Sequence, residues 1–79
     1  MKHELWIEPD NQQTFCLKGP MGDSARSMLA AGAQKVWEVE AASHFEAMTL
    51  YYVYMGWGVY KSSFYEHDIK TYVELGWED

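Results

Sequence analysis

Two short stretches near the N-terminus alternate between apolar and polar positions. Leu5 and Ile7 occupy every second position of HELWIE, and Phe15 and Leu17 occupy every second position of TFCLK. A period of two is typical of a strand that buries one face, and the intervening PDNQQ is rich in turn-forming residues. The pattern predicts a β-hairpin whose four apolar residues face the core, with alternate positions such as Glu4 facing water.

The next segment predicts a short helix followed by a third strand. In DSARSMLAAG, Asp23 or Ser24 is placed to cap the start of a helix, and Gly32 is placed to end it. In KVWEVEA, Trp37 and Val39 alternate with glutamates. This alternation again indicates a half-buried strand.

The stretch SHFEAMTLYYVYMGW carries the signals of a longer helix over residues 44–55. Ser43 and Glu46 form an S-x-x-E capping box, in which each side chain accepts a hydrogen bond from the other residue's amide. Apolar residues then recur at helical spacing along one stripe: Phe45, Met48, Tyr52 and Met55. Gly56 is placed for the left-handed residue that ends many helices, and Trp57 follows where it can fold back on Tyr52.

Residues 69–75 fit two periods. Alternation of apolar residues in IKTYVEL favours a last strand, although Ile69, Tyr72 and Val73 also fit a helical stripe. The whole order predicts one domain over residues 1–79 without internal repeats. Its expected class is α+β, with a small antiparallel or mixed sheet made of the N-terminal hairpin and one or two further strands, and with two helices packed on one face.

Charge and composition exclude several partners. The formal charge is −6, and the six basic residues are spread along the chain, so we expect no binding to nucleic acid or to an anionic membrane. No apolar run approaches the roughly 20 residues that span a bilayer, and the acidic start does not resemble a signal peptide. We therefore expect a soluble, cytoplasmic protein. Its single cysteine excludes an intrachain disulfide.

Residue types that carry out catalysis are present but poorly combined. Cys16 lies on a predicted strand between two apolar residues, without a base or a positive charge to activate it. Ser43 is adjacent to His44, and neighbouring helical residues point in different directions. His44 and Glu46 diverge by about 200° around the helix, which disfavours a shared metal ion. The sequence indicates no catalytic, cofactor-binding or metal-binding residues, and it disfavours an enzyme.

About a third of the chain, VWEVEAASHFEAMTLYYVYMGWGVYK, resembles a pattern in small bacterial proteins of unknown function. In that pattern a strand ending in Glu-Ala leads into a helix with Glu-Ala-Met, followed by Met-Gly-Trp and Tyr-Lys. The resemblance implies that strand, helix and aromatic turn form one unit. It implies no activity, cofactor or catalytic residue.

The predicted long helix is apolar nearly all round, which requires burial on more than one side. Three explanations stay open: the C-terminal segment covers the second face, a protein partner or a second copy covers it, or it lines a small-ligand groove. Our leading hypothesis is a non-enzymatic protein-interaction module, acting with a protein partner or as a homodimer; the alternative is a small-ligand binding domain with a Tyr/Trp-lined groove. The candidate interaction surface consists of Leu50, Tyr51, Tyr54, Trp57 and Tyr60.

Overall fold

A computed structural model describes residues 1–78 and has the predicted α+β class with a small sheet. The elements are β1 (Lys2–Ile7), β2 (Gln13–Leu17), a 3-10 turn (Pro20–Gly22), α1 (Asp23–Ser27), β3 (Gln34–Glu40), α2 (His44–Met55) and α3 (Tyr65–Asp68). The strands form an open antiparallel sheet in the order β2-β1-β3. The chain divides into two compact units: an N-terminal unit of residues 2–39, and a C-terminal unit made of Met1 and the chain from Glu40 onward.

The predicted hairpin is confirmed in the N-terminal unit. Leu5 pairs with Phe15 across the two strands, and His3 pairs with Leu17. Leu5 is completely buried, while Ile7, Phe15 and Leu17 are half-buried. Because side chains alternate along a strand, this register places the predicted apolar residues on one face of the sheet.

The other face of the hairpin is not open to water at its centre, so the expectation for Glu4 is wrong. Glu4 is only 6% exposed. Arg26 reaches over it from α1, donating from Nη1 to Glu4 Oε1 at 3.3 Å and to the carbonyl oxygen of Leu17 at 2.7 Å. Lys35 Nζ lies 3.5 Å from the second carboxylate oxygen. Burial of the carboxylate is offset by these two cations, since a buried charge is tolerated when it is paired.

Helix α1 is shorter than predicted and begins differently. Gly22 precedes it without a side-chain cap, and Asp23 is its first residue instead of its cap. The helix ends at Ser27, and Gly32 adopts its positive φ of 91° in a later turn. A Cβ on Gly22 would lie 1.7 Å from the carbonyl oxygen of Leu17. The close approach of two backbone segments therefore decides where this helix begins, and a capping side chain does not.

Helix α2 begins and ends where the sequence predicts. Ser43 Oγ accepts a hydrogen bond from the Glu46 amide at 3.1 Å, as predicted. The predicted return bond is wrong in its donor: the Glu46 carboxylate accepts from the amide of Ala42 at 2.9 Å, one residue before Ser43. Gly56 is left-handed, with φ 72° and ψ 29°. The Trp57 amide donates back to the Tyr52 carbonyl at 3.0 Å. This backbone arrangement is a Schellman motif, which satisfies carbonyls that the helix end leaves unpaired.

The predicted last strand is wrong. After α3, Thr71 forms only an isolated antiparallel bridge with Ser43. The chain then makes one helical turn, in which the Leu75 amide donates to the Thr71 carbonyl at 3.0 Å. Thr71 caps this turn by accepting from the Glu74 amide at 3.1 Å. A T-x-x-E capping box thus takes precedence over the alternating pattern.

Candidate interaction surface

Six aromatic side chains of the C-terminal unit form a continuous set of ring contacts, the aromatic cluster: Phe45, Tyr51, Tyr52, Trp57, Tyr60 and Tyr65. Ring centroids lie between 5.1 Å for Tyr52 and Tyr60 and 6.5 Å for Tyr51 and Tyr52. All the contacts are tilted or edge-to-face. These are the geometries that the quadrupoles of aromatic rings favour.

The end of α2 positions Trp57 within this cluster. Because Gly56 reverses the chain in the left-handed conformation, the indole packs back on the last turns of the helix. Its centroid is 5.3 Å from those of both Tyr51 and Tyr52. The indole is nevertheless 51% exposed. One part of Trp57 is thus held by the cluster while the rest is open to solvent.

The structure brings together three of the five predicted surface residues. Tyr51, Trp57 and Tyr60 belong to the aromatic cluster, although Tyr51 is buried at 7% exposure. Tyr54 is 48% exposed, and Leu50 and Tyr60 are half-buried. The sequence prediction left out three members of the cluster. Phe45 and Tyr52, which the sequence assigned to the packing stripe of the helix, are ring neighbours of predicted residues. Tyr65 lies in a segment without a periodic pattern and contacts the ring of Phe45.

A carboxylate lies at the edge of the aromatic cluster. Tyr60 Oη donates to Asp68 Oδ2 at 3.3 Å, and Ser62 Oγ donates to the same oxygen. The Ser62 hydrogen bond lowers the pKa of Asp68, and the nearby His44 lowers it further. Burial raises the pKa of Tyr60. Asp68 therefore carries its negative charge at neutral pH beside a tyrosine that stays protonated.

The structure also reveals a short internal repeat, so the expectation of none is wrong at this scale. The motif Tyr-Val-x-Met/Leu-Gly-Trp occurs at residues 52–57 and again at residues 72–77. In the second copy the Trp77 amide donates to the Tyr72 carbonyl at 2.8 Å, and Gly76 has a φ of 77°. The Tyr72 and Trp77 rings stack with centroids 5.7 Å apart. A comparison of the two sequence segments with each other would have predicted this second Schellman motif.

The two units differ in how their charges are balanced. The N-terminal unit has five acidic and four basic side chains, for a formal charge of −1. Each of its basic side chains is paired: Arg26 with Glu4 and Asp23, Lys2 and Lys18 with Glu38, and Lys35 with Glu4 and Glu38. The C-terminal unit has seven acidic side chains and two lysines, for a formal charge of −5. Within residues 40–78, neither Lys61 nor Lys70 forms an ion pair with a carboxylate.

Fold and site together define a small α+β protein with a partly exposed aromatic cluster, at whose edge lies the carboxylate of Asp68. The chain matches no protein-family model, no curated protein and no solved structure. In the part of the chain that the structure describes, no helix is both long and apolar enough to cross a membrane. Among the same residues, no three His, Cys, Asp or Glu side chains are grouped to hold a metal ion. Cys16 is buried, and burial raises the pKa of its thiol.

Proposed function

We propose that this protein is a small interaction module that binds another protein chain through the aromatic surface of its C-terminal unit. The observation that carries the proposal is the state of Trp57, which is anchored by two tyrosines and yet is 51% exposed. Other large apolar side chains of the same unit are exposed as well: Val53, Tyr54, Val59, Phe64, Tyr65, Ile69, Val73 and Trp77. Exposed apolar side chains in this number are typical of contact surfaces when they adjoin one another.

The residue types support a protein partner. Tyrosine and tryptophan are enriched in the buried centres of protein interfaces, where they supply much of the binding energy. A ring that is already held in one orientation loses little conformational entropy when it binds. Contacts of Trp57 with Tyr51 and Tyr52 hold its indole in this way. The cluster therefore supports a preorganised anchor at Trp57.

A groove for a small ligand receives less support. Ligand sites are concave and enclose most of the ligand. A depression of about 320 Å³ near α3 is lined by Ser63, Phe64, Tyr65, Glu66 and His67. Of the aromatic cluster it includes only Tyr65, and it leaves out both Trp57 and Tyr60.

Site-specific photo-cross-linking tests the proposal. A benzophenone amino acid would replace Tyr54 in the full chain, and the protein would be irradiated in the cells that produce it. The matched control carries the same amino acid in place of Met28, an apolar residue of the N-terminal unit that is 84% exposed. We expect discrete protein adducts from position 54, fewer from position 28, and a loss of the position-54 adducts when Trp57→Ala is added. Equal adduct yields at the two positions, or none at position 54, would contradict the proposal.

A further inference from the structure

We infer that the partner presents an arginine-bearing segment, whose guanidinium groups dock on the aromatic cluster at Trp57 and beside the carboxylate of Asp68. The inference rests on the proposed function and names the chemistry of the partner. It depends on two independent observations, the charge balance of the C-terminal unit and the arrangement of rings and carboxylate within it.

The charge balance selects a cationic partner. The N-terminal unit neutralises its own basic side chains, whereas the C-terminal unit keeps a formal charge of −5. Charges on a protein surface act over about 8 Å at physiological ionic strength. Glu40 and Glu78 are paired with the amino group of Met1. The negative charges that remain, among them Asp68 at the edge of the aromatic cluster, act on groups that approach within that distance. They attract a basic segment, and they repel a second copy of this chain as well as an anionic polymer or membrane.

Rings and carboxylate are arranged for arginine in particular. The ring contacts lead from Trp57 to Tyr52 at 5.3 Å and from Tyr52 to Tyr60 at 5.1 Å, and Tyr60 donates to Asp68 at 3.3 Å. Indole is the best aromatic acceptor for a cation. A guanidinium group stacks on aromatic rings and also forms directed hydrogen bonds with a carboxylate, whereas an ammonium group acts as a point charge. One partner segment can use both features along this path.

Fluorescence anisotropy with designed peptides tests the inference on the full chain. The probe is a labelled peptide of four Ser-Arg-Leu repeats, and its control replaces every arginine with citrulline, which keeps the shape and removes the charge. We expect the arginine peptide to bind in the micromolar range and to weaken several-fold between about 50 and about 200 mM salt. The citrulline peptide should bind at least about tenfold more weakly.

Matched variants locate the site. Trp57→Ala should weaken the arginine peptide about tenfold, since it removes one desolvated cation–π contact. Trp77→Ala is its control, because Trp77 ends the second copy of the same motif and is 48% exposed; it should change the affinity less than about twofold. Asp68→Asn should weaken binding several-fold, with Glu66→Gln as the charge-matched control. Thermal melting of each variant shows whether it is folded.

The outcomes separate this inference from the proposed function. The inference of a cationic partner is overturned if the arginine and citrulline peptides bind equally, or if neither binds up to about 1 mM. In that case, protein adducts at position 54 would still support the proposed interaction surface. Equal effects of Trp57→Ala and Trp77→Ala overturn the location. A position-54 adduct with the mass of two copies of this chain identifies a partner of the same negative charge, and it too overturns the inference. Peptide binding without any adduct at position 54 would instead contradict the proposed function.

Discussion

Substitution of Gly56 should destabilise the protein in a graded series, with asparagine tolerated best, alanine less and valine least. The residue has a φ of 72°, and a Cβ at this position would meet no atom within 4 Å apart from those of the two adjacent residues. Steric overlap with neighbours is therefore absent, and the cost comes from the backbone conformation alone. A left-handed alanine costs about 1–2 kcal/mol. Asparagine visits this conformation more readily, and β-branched valine resists it most.

These costs are large for a chain of this size. A single small core supplies about 3–5 kcal/mol of net stability, so Gly56→Ala should remove roughly a third of it. The expected fall in melting temperature is about 4–8 °C per kcal/mol. At the other end of α2, Ser43→Ala should cost about 0.5–2 kcal/mol, because it removes the cap of the Glu46 amide. Urea denaturation followed by circular dichroism measures all four variants.

Gly76 offers a control within the same chain. It has a φ of 77°, and a Cβ would again meet nothing within 4 Å. It ends a single helical turn, whereas Gly56 ends a helix of 12 residues. Gly76→Ala should therefore cost no more than Gly56→Ala. An unchanged urea midpoint for Gly56→Val, or equal effects of valine and asparagine, would refute the conformational explanation.

Three further predictions concern single residues. Tyr54→Glu should change the free energy of unfolding by less than about 1 kcal/mol, because the side chain is 48% exposed. The same substitution should weaken binding of the partner, measured by sedimentation. A large fall in melting temperature would show that Tyr54 belongs to the core. Gly22→Ala should cost about 3 kcal/mol or more through overlap with the Leu17 carbonyl, and an unchanged melting temperature would contradict the close approach. Burial raises the pKa of Tyr72 to about 12. Its unfolded value is about 10, so its stabilising effect is complete below pH 10 and is lost as the pH rises to about 12. Tyrosinate absorbance should show this late titration, and Tyr72→Phe should remove it.

Helix α2 could be predicted because all of its signals are local. The Ser43 cap of the Glu46 amide and the left-handed Gly56 lie next to the helix, and each acts on backbone groups a few residues away. The contact of Trp57 with Tyr52 follows from the same local geometry. This part of the candidate surface was therefore accessible from the sequence.

Features that depend on distant residues could not be predicted in the same way. Glu4 has the residue type and position of a solvated side chain, but it is buried and is paired with Arg26, 22 residues away, and with Lys35, 31 residues away. The start of α1 depends on the contact between Gly22 and the end of β2. Asp68 reaches the aromatic cluster from the end of α3, a four-residue helix in a segment without a periodic pattern. The burial of Glu4 and the start of α1 depend on contacts between residues distant in sequence, which helix and strand propensities do not describe. The segment that carries Asp68 has no hydrophobic pattern that favours either a helix or a strand.

The two copies of the repeated motif have the same backbone conformation but different aromatic contacts. In both copies a left-handed glycine turns a tryptophan back toward the tyrosine five residues earlier. Tyr72 is 2% exposed and stacks nearly parallel on Trp77, with an angle of 15° between the rings. Tyr52 meets Trp57 at 88° and also contacts Tyr60, which extends the ring contacts toward Asp68.

The two tryptophans should therefore differ in function although their local structures agree. Both are about half exposed, so either alanine substitution should remove a similar amount of packing. Only Trp57 lies on the ring contacts that lead to a carboxylate. We expect Trp57→Ala and Trp77→Ala to lower the melting temperature to a similar extent, and only Trp57→Ala to reduce peptide binding. A loss of binding that follows the loss of stability in both variants would mean that the aromatic cluster serves the fold alone.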